Sequence, residues 1–368
     1  MTRLLLLTEH ERVVEMMRVA AAHARWHGAP AAPRLAVDRH LVRGGHRGEP
    51  PALDLAGLRA EGIRCAAFTV NSPADMWALL LAGVDGLITD YPDLAWPLLR
   101  EAGPRRGEAL VDADGFVRGE AVDLQGHRGA DGLRPGNTLP GVEAALGWGV
   151  TTIEIDVRRA ACGALMVVHD ADINPGWCRR AGGAPLSAAD CVGLHTLDGG
   201  EIRRRVWADV CVTPTQRRDH DLSPVACAFA REHGWSSPYC VPTFADLVRF
   251  LDHYVAYHTR GPGRRHPRAE WRAEVARRVW LNVEIKTEAD ATTTPRPPSG
   301  VALVDALARE VAGGGMADRV TVQSFSVPTM LHAQSAHPAV PTGYLIHTAP
   351  SDDACALMAL AAPPAGLG

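Results

Sequence analysis

The hydrophobic positions of the chain fall into short runs separated by longer stretches with helical spacing. Apolar, β-branched runs that end in polar residues occur at 63–71, 84–90, 124–127, 151–157, 165–169, 279–286, 320–325 and 342–346. Runs of that length, apolar on both faces, predict strands buried in a parallel sheet. Between most of them, apolar residues recur every three or four positions and predict helices at 73–82, 139–148, 243–258, 301–311 and 327–335. Ser72-Pro73 and Pro242-Thr243 mark two helix starts, because the first turn has N–H groups without intrahelical partners. Eight strands alternating with helices predict a parallel α/β barrel, the (β/α)8 TIM barrel, rather than an open doubly wound sheet. A dinucleotide fold is excluded, since neither Gly44-Gly45 nor Gly313-Gly314-Gly315 follows a strand and opens a helix. Some 110 residues, roughly, separate His169 from the strand at 279, far more than one helix and its loops require. The stretch 174–239 is therefore expected to be an inserted subdomain on the side of the barrel that carries active sites.

Composition narrows this picture. With 368 residues, 46% of them hydrophobic, the chain can bury a sizeable core without disulfides. A net charge of −4 argues against a nucleic-acid partner. No run approaches the roughly 18 apolar residues of a membrane span. The opening Leu4–Leu7 is too short for a secretory signal, so a cytoplasmic chain is expected. The eight cysteines form no CxxC pair, which disfavours a zinc or thioredoxin-type site and favours free thiols in a reducing compartment. The Arg-rich stretch 260–278 reads as a solvated helix face with a Pro/Gly-rich lead-in. Of 38 basic residues, Lys286 is the single lysine. A bias toward arginine that spares one position draws attention to an ammonium there.

Polar residues with catalytic potential stand at the carboxyl ends of successive predicted strands. His127-Arg128 ends one, and His169-Asp170 another. Glu154 and Asp156 lie two apart, as do Glu284 and Lys286, so each pair shares one face of its strand. In a barrel these groups converge on one mouth. Three carboxylates in one low-dielectric pocket repel strongly and call for a cation, and all-oxygen ligation favours Mg²⁺ or Ca²⁺ over zinc. Two histidines beside it supply a general base and a general acid, while Arg128 and Lys286 suit a phosphate anion. His-Arg-Gly also occurs at 46–48, but Gly and Pro flank that copy and no Glu-x-Asp follows it, so it reads as a loop.

The series Gln125-Gly-His-Arg-Gly-Ala, Arg134-Pro-Gly-Asn-Thr-Leu-Pro, Glu154-Ile-Asp-Val, Val167-Val-His-Asp, Val283-Glu-Ile-Lys and Val322-Gln-Ser-Phe resembles the glycerophosphodiester phosphodiesterase family. The resemblance spans 124–346. It implies a (β/α)8 barrel that hydrolyses small-molecule glycerophosphodiesters to glycerol 3-phosphate and an alcohol with a divalent metal. It further implies Glu154, Asp156 and Glu284 as metal ligands and His127 and His169 as the acid/base pair, in either order. Arg128 and Lys286 become phosphate contacts. The family's insertion after its third strand corresponds to 174–239. Exported family members leave a periplasmic location open as well.

Two motifs depart from the family. Gly136 stands where its motif usually has Glu, and Ala160-Ala161-Cys162-Gly163 replaces its Thr-x-Asp-Gly turn. The order departs too, because 61–93 resembles the family's seventh and eighth strands and here precedes the first. The expectation is one circularly permuted barrel over 1–368. Its C-terminal part would be 1–105, its linker 106–122 and its N-terminal part 123–368, with Phe68 and Asn71 in the pocket wall. Thr2–Thr8 and the strand at 342–346 both resemble a sixth strand, as if one element were doubled. Two other readings stand beside the phosphodiesterase. One is a phospholipase D-like enzyme on lysophospholipids, with an apolar rim near Trp177; the other is a catalytically dead barrel or fragment.

Overall fold

The computed structural model describes residues 9–43, 51–287, 299–314, 316 and 318–348. Eleven strands follow in chain order: β1 (Arg34–Asp38), β2 (Cys65–Phe68), β3 (Gly86–Thr89), β4 (Asp123–Gly126), β5 (Thr152–Arg159), β6 (Leu165–Val167), β7 (Arg179–Arg180), β8 (Val206–Trp207), β9 (Trp280–Ile285), β10 (Val320–Ser324) and β11 (Thr342–Ile346). Eight of them pair in parallel around a closed ring, β4-β5-β9-β10-β11-β1-β2-β3 and back to β4. Helices form the outer layer, and the main core lies between them and the outward faces of the strands. The protein is a TIM barrel, as the alternating pattern predicts.

The number of strands agrees with the expectation, but their membership does not. Leu165–Val167 runs antiparallel to β5, with Val157 opposite Val167, and is not part of the ring. Its vacated place is taken by Arg34–Asp38, which the sequence reading missed because only Leu35, Ala36 and Val37 are apolar there. Counted from β4, the strand at 280–285 is therefore third, 342–346 fifth and 34–38 sixth. The insertion consequently follows the second barrel strand and its hairpin, not the third. The strand at 342–346, expected to be the sixth, is instead the fifth, and it pairs with the sixth, β1, with Leu35 opposite Tyr344. Thr2–Thr8 and His46-Arg47-Gly48 lie outside the described residues.

Local chemistry explains most helix boundaries. Ser72 Oγ accepts from the Asp75 N–H, Pro73 opens the helix Pro73–Ala82, and Gly83 in the left-handed region (φ 88) closes it. Thr243 and Asp246 cap the helix Phe244–Thr259 reciprocally. The connection from β3 to β4 is packed. After the helix Pro92–Arg106, Val111 bridges to Val117, and Leu110, Val117 and Val122 are buried. The stretch after β6 has a small core of its own, in which Ile173, Cys178, Leu194 and Ile202 pack with Met166 and Val241. In the Arg-rich stretch, the helix Ala269–Arg278 buries Ala273 and Ala276 and turns Arg277 and Arg278 to Glu274 at the surface.

Candidate active site

β4 ends in a turn that needs both of its glycines. A Cβ on Gly126 would meet the Gly129 carbonyl oxygen at 2.1 Å, and one on Gly129 (φ +90) would meet the Gly141 backbone at 2.6 Å. Between them Arg128 is held in the left-handed region (φ 51), which long side chains rarely adopt. Its N–H donates to Glu154 Oε2 at 3.0 Å and its Nε lies 3.3 Å from Asp156 Oδ2. His127 turns the other way. Its Nδ1 is 2.6 Å from Asp90 Oδ1, and its Nε2 faces Glu154 Oε2 at 4.0 Å.

Alternation along β5 sends Glu154 and Asp156 to the same side, and parallel register places Glu284 of β9 opposite Asp156. The three carboxylates each present an oxygen within 4.8 Å of the others, and all three residues are buried. Lys286 lies against them, with Nζ 3.0 Å from Asp156 Oδ1 and 2.6 Å from Glu284 Oε1. Asn137, also left-handed (φ 57), clamps Asp156. Its Nδ2 donates to the carboxylate at 2.8 Å and its Oδ1 accepts from the Asp156 N–H at 3.2 Å. Gln323 of β10 donates to Glu154 at 3.3 Å.

His169 reaches the same mouth because β6 doubles back along β5. The Val168 N–H bonds the Asp156 carbonyl, and Arg158 Nε donates to the His169 carbonyl at 2.7 Å. The His169 Nδ1 lies 2.7 Å from Asp170 Oδ1, and Asn174 donates to the second oxygen of that carboxylate. His127, His169, Glu154, Glu284, Lys286 and Phe68 line one cavity of about 170 Å³. A second cavity of about 260 Å³ lies toward the insertion, shares Arg128 and His169, and is walled by Trp177, Val210 and Val212. Arg128 joins these residues in the first cavity and Asp156 completes the carboxylate cluster, whereas Asn71, expected in the pocket wall, lines neither cavity and instead donates to Asp90.

The charges are unequally satisfied. Burial alone would raise the Asp156 carboxyl, but Lys286 and Arg128 hold it far below the usual range. Burial, reinforced by the Asp156 charge, raises Glu154 and pushes Glu284 up to about 7 despite Lys286. Burial opposes a charged His127, yet the bond to Asp90 and the Glu154 charge raise its pKa. Fully ionised, the three carboxylates would carry more negative charge than Arg128 and Lys286 neutralise. With only carboxylate oxygens as donors, Glu154, Asp156 and Glu284 fit a hard divalent cation.

The family model for the glycerophosphoryl diester phosphodiesterase family matches residues 4–94 and 127–367, most of the chain. The chain belongs to this family. No curated protein matches it. Among solved structures it is similar to a protein of Silicibacter pomeroyi DSS-3 described as a glycerophosphoryl diester phosphodiesterase (22% identity, TM-score 0.43, 60% of this chain and 63% of that one). It is also similar to a glycerophosphodiester phosphodiesterase of Agrobacterium tumefaciens (21%, 0.35, 59% and 63%). A third is a phosphodiesterase of Oleispira antarctica solved with sn-glycerol-3-phosphate (16%, 0.40, 62% and 67%). The chain spans less than two thirds of the length of the first two.

Membership in the family gives the departure at Gly136 a structural reading. A Cβ there would meet the Asp131 carboxylate at 2.8 Å and the Arg128 Cβ at 3.0 Å. Asp131 fills the space that a side chain at 136 would need, and it places a carboxylate 3.9 Å from the Arg128 guanidinium. Gln216, from the insertion, donates to Asp131 Oδ1 at 2.8 Å. The other departure is a turn variant in which Gly163 takes the left-handed conformation (φ 90). Asp90, Asp131, Asn137 and Gln323 were not singled out as site residues from the sequence. The Asn in Arg134-Pro-Gly-Asn-Thr and the Gln in Val322-Gln-Ser-Phe were visible as motif members without a role.

Proposed function

We propose that the chain is a metal-dependent phosphodiesterase that hydrolyses glycerophosphodiesters to glycerol 3-phosphate and an alcohol. The observation that carries this reading is the meeting, at one barrel mouth, of three buried carboxylates and two histidines, each histidine bonded through Nδ1 to its own aspartate. Glu154, Asp156 and Glu284 would hold the cation, Mg²⁺ or Ca²⁺, which when bound would polarise the phosphodiester and stabilise charge growing on its oxygens. Arg128 and Lys286 would bind and orient the phosphate oxygens. Asp90 fixes His127 so that Nε2 faces the carboxylate cluster, where it would take the proton from the attacking water, or from the substrate's own glycerol hydroxyl if a cyclic phosphate forms first and water then opens it. His169, oriented by Asp170, would protonate the departing alcohol oxygen. Phe68 would form the wall beside the phosphate site.

In this reading the barrel is the family's, cut between its fifth and sixth strands and joined through 106–122. In support, closure makes β3 and β4 neighbours, so the join needs only one helix and a short packed segment. The second cavity favours a substrate with an acylated glycerol as the alternative, as in a phospholipase D-like enzyme on lysophospholipids. Among the described residues no helix is long and apolar enough to cross a membrane.

The test is release of glycerol 3-phosphate from glycerophosphocholine and glycerophosphoethanolamine with Mg²⁺, Ca²⁺ or EDTA, beside release of choline from lysophosphatidylcholine. Release that EDTA abolishes is expected, with His127→Ala and His169→Ala each at least about 10³-fold slower while still folded. Activity only on the lysolipid would select the second reading. A folded wild type inert on all three would leave a binding barrel without catalysis, and either histidine variant remaining active would remove the acid/base assignment.

A further inference from the structure

A second cluster of ligating side chains lies in the helical layer outside β9 and β10. Asp305 is on the helix Gly300–Gly313, His332 is on the helix Val327–Ala336, and His337 caps that helix. Both imidazoles direct Nε2 to the same carboxylate oxygen, at 2.8 Å for His332 and 2.7 Å for His337. Their ring centroids are 6.1 Å apart and the rings stand at 79° to one another. One ligand atom from each residue lies within 4.8 Å of the other two. The side chains keep 36% exposure at Asp305 and 27% at each histidine, so an ion from solvent can reach them.

We propose that Asp305, His332 and His337 form a binding site for a borderline divalent transition ion such as Zn²⁺, separate from the carboxylate cluster at the barrel mouth. Two imidazole nitrogens and one carboxylate oxygen suit zinc, whereas Mg²⁺ and Ca²⁺ prefer oxygen ligands alone. Three protein ligands leave a fourth position for water. Bonds of about 2.0–2.1 Å place ligand atoms around a tetrahedral zinc about 3.3 Å apart, so the two contacts must open by roughly half an ångström. Partly exposed side chains allow that by small rotations. An imidazole that donates through Nε2 must vacate that proton before Nε2 can ligate, so binding displaces both hydrogen bonds to Asp305. The ion would tie the helix leading into β10 to the helix leading from β10 to β11.

The experiment uses the full chain, stripped of metal and equilibrated with Zn²⁺ under excess Mg²⁺, which fills the all-oxygen cluster. Bound zinc is counted by elemental analysis after gel filtration, and Tm is followed with and without zinc. The wild type is expected to retain one more zinc than His332→Ala or His337→Ala, with binding at least tenfold weaker in each variant. Zinc should raise Tm in the wild type and in Glu284→Gln but in neither histidine variant. Equal zinc counts in the wild type and both histidine variants, or no zinc on the wild type, would overturn the proposal. Glycerophosphodiester hydrolysis enters neither readout, so failure of the catalytic reading leaves this test intact.

Discussion

The lumen of the barrel has two unlike walls. On one side Ala36 of β1, Phe68 of β2, Ile88 of β3 and Leu345 of β11 form a small apolar cluster, bordered by the Phe325 and His347 rings against Phe68. On the other, Gln125 of β4, Glu154 of β5, Asn282 and Glu284 of β9 and Gln323 of β10 are all buried and polar. The polar wall is wired from below. Asn282 Nδ2 donates to Gln125 and to Gln323, both at 2.8 Å, and Gln323 donates onward to Glu154. Buried polar groups are tolerated when they satisfy each other, and a ladder of this kind fixes Glu154 before any ligand arrives. The apolar cluster presents hydrocarbon to its side of the lumen, which strengthens the charge interactions facing it, while Asp90, just beyond β3, reaches across to His127. In the proposed reaction the polar wall would carry the chemistry, and the apolar wall would set the dielectric in which it happens.

That contrast can be broken most severely at Lys286, where the polar wall carries its ammonium. Lys286→Met should lower kcat by about 10²–10³-fold, and without metal it should cost about 3–5 kcal/mol of stability, because Asp156 loses a buried partner. Chemical denaturation with and without a divalent cation checks this, since the cation should restore part of the loss. Asp90→Asn comes next. It leaves the His127 ring in place but removes the carboxylate charge facing its Nδ1, which lowers the His127 pKa, so kcat should fall about 10²-fold with KM little changed and the pH profile moved to lower pH. An equal rise in KM would make Asp90 a packing residue instead.

On the apolar wall, Phe68→Ala should act on binding and stability more than on turnover. KM should rise up to about tenfold and stability fall by about 3 kcal/mol or more, through loss of the Phe325 and His347 contacts. A kcat loss as large as that of Asp90→Asn would abolish the distinction between the walls. The smallest effect belongs to Glu143, outside the lumen on the helix Leu139–Trp148. Its oxygens accept from the Val225 and Ala226 N–H groups, yet burial pushes its pKa up to about 7. The folded state thus binds this proton more tightly than the unfolded chain, where the pKa is near 4.5. Its stabilising contribution is full below pH 4.5 and is lost as pH rises through 7, by about 3 kcal/mol at most. Glu143→Gln should flatten that slope in urea titrations and leave kcat unchanged.

The mouth was legible in the sequence because its chemistry is local. His127-Arg128, Glu154 with Asp156, and Glu284 with Lys286 are pairs whose spacing settles which face they share, whatever surrounds them. The glycines of the β4 turn are likewise determined by contacts within a few residues of one another or with the next helix. What the tertiary structure alone decided is which distant pieces complete these pairs. Asp90 bonds His127 across 37 residues, and Gln216 holds Asp131 across 85. Neither partnership leaves a periodic trace, since a single hydrogen bond constrains no pattern along the chain. Ring membership was decided the same way. Leu165–Val167 is as apolar as a barrel strand, and Arg34–Asp38 is less so. Hydrophobicity records that a strand is buried, not whether its neighbour runs parallel or antiparallel; that follows only from where closure of the barrel leaves an unpaired edge.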